Sequence, residues 1–79
     1  KYPEAEALLK EATVALGKTG IAPDHQAYAD VGEVYVTVLL KTGRLNEAKA
    51  MADSAVATFK GKPATLAKFE KLRSLAAGQ

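Results

Sequence analysis

The sequence predicts an all-α chain of about four helices, joined as antiparallel hairpins. Apolar residues recur at three- and four-residue spacing in four stretches, and Gly and Pro punctuate the gaps between them. Composition agrees: 48% hydrophobic and 25% charged residues are the proportions of a folded chain, not a disordered one. At 79 residues the ceiling is one small domain, spanning 1–79.

The first helix is predicted over 3–16. Pro3 suits a first turn, where its missing N–H has no helical partner. Ala5, Leu8, Leu9, Ala12 and Leu16 form one apolar stripe, Glu4, Glu6, Lys10 and Glu11 face away, and Gly17 and Gly20 end the helix. The second is predicted over 25–41, with Asp24 as its N-cap. Its stripe is Ala27, Tyr28, Val31, Val34, Tyr35, Val38 and Leu39. The β-branched run 34–40 taken alone reads as a strand, but the helical stripe extends well beyond it. Gly32 inside this helix costs roughly 1 kcal/mol relative to Ala, which points to a close helix–helix approach.

Thr42-Gly43 makes a tight turn into a third helix over 45–59. Its stripe is Leu45, Ala48, Met51, Ala52, Ala55, Val56 and Phe59, and its alanines admit a close neighbour. Gly61 and Pro63 break it. The fourth helix follows over 64–76, with Leu66, Phe69, Leu72 and either Leu75 or Ala76 inward.

Charge is uneven along the chain. Residues 1–59 carry six bases against eight acids, whereas residues 60–79 carry Lys60, Lys62, Lys68, Lys71 and Arg73 against Glu70 alone. A basic end can meet phosphates or an acidic protein, or can simply be a solvated helix whose cations suit its C-terminal dipole. The one aromatic residue among these cations, Phe69, falls on the inward stripe, so there is no aromatic interleaving of the kind that single-strand binders use for stacking.

Helices one and three match at an offset of 43 residues, pairing Glu4 with Glu47, Ala5 with Ala48, Leu8 with Met51, Ala12 with Ala55 and Leu16 with Phe59. Helical repeats of this kind bury their apolar faces by stacking. The run Gly43-Arg44-Leu45-Asn46-Glu47-Ala48, followed by Ala52, Ala55 and Phe59, resembles the turn and second helix of a tetratricopeptide repeat (TPR). Tyr2-Pro3-Glu4-Ala5 with Leu9 and Ala12 is similar to the same half of a preceding repeat. The offset exceeds the usual period of about 34 residues. With the loop Gly20-Ile21-Ala22-Pro23-Asp24-His25 it resembles the longer, kinesin-light-chain-like subclass. The chain departs from that pattern at Gly32, Glu33, Val34, Val36 and Leu39. The resemblance implies a right-handed superhelix of hairpins, in which Lys1 falls midway through a repeat and further repeats or a partner complete the packing.

Chemistry for catalysis is not assembled. Gly17-Lys18-Thr19 echoes the end of a phosphate-binding loop, but residue 12 is Ala where that loop needs Gly, and the preceding residues read as helix. His25 is the only histidine and lacks an accompanying nucleophile. One His, no Cys and scattered acids supply no metal-ligand set. The reading is therefore non-enzymatic, without cofactor or metal. No run approaches the ~18 apolar residues of a membrane span, and a cysteine-free chain suits a non-oxidising compartment such as cytoplasm or an organelle interior.

The resemblance implies a protein or peptide partner held in a groove lined by the second helix, at Asp30, Glu33, Val34, Thr37, Leu40 and Lys41. Glu33 and Val34 stand where carboxylate-clamping relatives carry Lys and Asn, so a chaperone-type C-terminal tail is not expected; Asp30 and Glu33 favour a basic ligand. Tyr28 and Tyr35, seven apart on one face, are either core or groove anchors. Two other functions compete: a structural subunit docked permanently in a large assembly, and nucleic-acid contact through Lys68, Lys71 and Arg73.

Overall fold

The computed structural model describes residues 2–78; Lys1, counted among the bases above, and Gln79 lie outside them. Four helices account for almost all of it: α1 (Tyr2–Gly17), α2 (Gln26–Lys41), α3 (Leu45–Thr58) and α4 (Pro63–Ala76), with no strand among the described residues. The strand-prone run 34–40 lies inside α2, where packing on three helices outweighs local propensity.

The ends of the helices follow from local chemistry. Pro23 and Asp24 occupy the centre of a turn closed by the His25 N–H on the Ala22 carbonyl at 3.0 Å. That places His25, not Asp24, at the N-cap of α2: its backbone is extended and its Nδ1 accepts the Ala27 N–H at 3.0 Å. Asp24 instead offers its carbonyl to Lys62 Nζ at 2.7 Å, which ties the start of α4 to the start of α2. At the other end of α2, Gly43 takes φ +77°. The Arg44 N–H reaches back to the Leu39 carbonyl at 2.9 Å and the Gly43 N–H to the Leu40 carbonyl at 3.2 Å, a Schellman closure. Pro63 opens α4 at a position where no helical donor is lost.

The helices pack as a slab of 34 × 30 × 15 Å, two helices thick. α2 touches all three others; α3 also packs on α4, whereas α1 packs on α2 alone and on neither α3 nor α4. α1 runs antiparallel to α2, since Gly17 lies beside Tyr28 and Glu6 beside Arg44. α4 runs alongside α2 in the same direction, with Lys62 near Asp24, Lys68 near Glu33 and Phe69 against Gly32. One layer is therefore α2 and α4; the other is α1 and α3.

The core sits between α2, α3 and α4. Val36, Leu39, Ala48, Phe59, Phe69 and Ala76 are buried in it, and the Phe59 and Phe69 rings stack at a centroid separation of 5.5 Å. Gly32 has the close approach its sequence position implies: a Cβ built there would lie 3.2 Å from Phe69 Cζ. Three residues expected inward are exposed instead, and the choice left open at the end of α4 is decided. Leu8 is 65% exposed because α1 has one neighbour where α3 has two. Val34 (52%) faces away from the core on α2, which buries Ala29 and Val36 on the side toward its neighbours. Leu45 lies at the first position of α3, and at the end of α4 it is Ala76, not Leu75, that packs inward.

Candidate functional site

The six α2 positions implied as a groove divide by environment. Asp30, Val34 and Lys41 are exposed and lie on one face, while Glu33, Thr37 and Leu40 are half-buried beside it. Leu40 packs on the core. The Thr37 hydroxyl donates to the Glu33 carbonyl at 2.8 Å, so it serves its own helix. Glu33 lies 3.9 Å from Lys68 Nζ of α4, and Asp30 accepts from Gln26 Nε2 at 2.9 Å. Of the two acids, Glu33 already faces a cation and Asp30 does not.

The three cations read as a basic patch have different neighbours. Lys68 faces Glu33 of α2, Arg73 Nη1 lies 3.6 Å from Asp53 of α3, and Lys71 is exposed. Asp53 also holds Lys49 at 3.2 Å. At 100° per residue, Lys71 and Arg73 point to opposite sides of α4, which sequence proximity conceals.

Arg44 forms a junction that the sequence did not foretell. From the α2–α3 turn its Nη2 donates to Glu47 Oε2 at 2.8 Å and its Nε to Glu47 Oε1, a two-pronged pairing, while its Nη1 donates to Glu6 Oε1 of α1. These bonds, first with Glu47 and then with Glu6, raise the guanidinium pKa still further. The hydrogen bond from Arg44 lowers the Glu47 pKa against the opposing effect of desolvation, helped by the charges of Arg44 and Lys10. No signal in one sequence could have found the Glu6 partner, 38 residues away.

A second concavity lies where α1 and α3 stand apart over α2. This groove of about 510 Å³ has Lys10 and Val14 on its α1 wall, Met51 on its α3 wall, and Tyr28, Val31 and Tyr35 as its floor. Both tyrosines are half-buried against the core, as the core reading expects, and their outer surfaces line this groove, which lies apart from the Asp30 strip. The spacing Tyr28, Val31, Tyr35 was the available signal; what it lacked was the gap between α1 and α3.

Among the described residues, no three His, Cys, Asp or Glu side chains gather to hold a metal ion. No helix there is long and apolar enough to cross a membrane. Models of known protein families, curated proteins and solved structures yield no match to this chain.

Proposed function

We propose that this chain is a segment of a TPR-like helical array that binds a protein or peptide partner along α2. The observation that carries the reading is the two-layer alternation. The helices related by the 43-residue offset, α1 and α3, lie in one layer, and α2 lies beside α4 in the other. In such an array the α2 layer lines the binding surface, and its exposed strip here is Asp30, Val34 and Lys41. One anion with an apolar neighbour suits a ligand segment carrying Lys or Arg beside an aliphatic side chain. Selection of displayed random peptides on the immobilised chain tests this. Peptides with a basic residue beside an apolar one should be enriched, and D30K should weaken them about tenfold. No enrichment, or peptides indifferent to D30K, would overturn the reading.

A second reading, a subunit docked permanently in an assembly, draws support from α1, which buries no residue and leaves Leu8 and Val14 in solvent. It predicts that the isolated chain aggregates or melts without cooperativity, whereas a binding module stays monomeric.

A further inference from the structure

We propose that the groove between α1, α2 and α3 binds a small amphipathic anion, an apolar body bearing one carboxylate. This site does not involve the Asp30 strip and does not depend on the partner reading. Its volume of about 510 Å³ lies in the range of small-molecule sites, and Val14, Tyr28, Val31, Tyr35 and Met51 make its lining predominantly apolar. Tyr28 to Tyr35 spans seven residues of helix, about 10 Å at the α-helical rise, which matches a chain of about eight carbons.

Lys10 supplies the charge. Lys10 lines the groove, and its ammonium donates no hydrogen bond among the described residues; its one ion pair there, with Glu6, is long at 3.7 Å. Glu6 is already bonded by Arg44, as is Glu47, whose carboxylate Lys10 also influences. An adjoining hollow along α1 shares Lys10 and Val14 and adds a second cation, Lys18, together with Glu11. The ligand headgroup therefore belongs at Lys10 and its tail over the tyrosines.

Titration of the isotope-labelled chain with sodium octanoate, and in parallel with octanol, tests the site by methyl NMR. Octanoate should saturably shift the methyls of Val14, Val31 and Met51 and bind more tightly than octanol. Lys10→Gln should weaken octanoate about fivefold, the scale of one partly exposed charge pair, and leave octanol unchanged. Val14→Glu places a carboxylate on the wall at a position 60% exposed, where the fold tolerates it, and should abolish octanoate binding. Shifts centred on Leu8, Leu45 or Leu75, octanol binding as tightly as octanoate, or indifference to Lys10→Gln would each overturn the proposal.

Discussion

Gly32→Ala pits two effects of similar size against each other. Helix propensity favours Ala by about 1 kcal/mol at an interior helical position. The new methyl, however, would stand 3.2 Å from Phe69 Cζ, tighter than ordinary carbon contact, with Cε1 at an ordinary 3.6 Å. Phe69 is 1% exposed and its ring is stacked on Phe59, itself buried, so it has no open side to retreat into. Overpacking of a closed core typically costs about 1–3 kcal/mol, so the net effect should be a loss of about 1 kcal/mol. Urea denaturation followed by circular dichroism measures it. With a slope near 1 kcal/mol/M for so small a chain, the midpoint should fall by about 1 M. In a Phe69→Leu background the obstructing ring is gone, and the same Gly32→Ala change should become neutral or stabilising. The coupling between the two sites should therefore be about 1–2 kcal/mol. A raised midpoint in the single variant, or additive effects in the pair, would refute the claim that α4 is pressed against α2 at this point.

Gly43→Ala meets no atom within 4 Å, so its cost is conformational: about 1–2 kcal/mol for holding Ala in the left-handed region, read as a lowered Tm. His25→Ala should cost about 1 kcal/mol by removing the N-cap, and His25→Asn should restore it in the same melts. Glu47 has a folded-state pKa below its unfolded value, so its contribution is complete above about pH 4.3 and is lost as pH falls through the lower folded value. Glu47→Gln should accordingly flatten the acid limb of a stability–pH curve; an unchanged limb would show that its pairing with Arg44 contributes nothing.

The helices were legible because their signals are local. Stripes at 3.6-residue period, Pro3 at a helix start and Gly43 at a helix end place each element within about two residues. Gly32 even announced a close contact, although not that Phe69 would make it. What the sequence concealed depends on which helix lies beside which. Leu8 and Met51 occupy matching places in α1 and α3, yet Leu8 is exposed and Met51 half-buried, because only α3 has a second neighbour. The cap was misplaced for a different reason. Asp24 is the commoner capping residue, but Pro23 draws it into the turn and leaves the task to His25. The α1–α3 groove and the Arg44–Glu6 link arise from residues far apart in the chain, and no local pattern encodes them.

The proposed partner-binding role of α2 is tested most directly by mapping where a selected basic peptide touches the labelled chain, by amide chemical-shift perturbation. The largest shifts should fall at Asp30, Val34 and Lys41 and be lost together in D30K. Shifts confined to the outer face of α1 or to α4, with α2 unmoved, would contradict it.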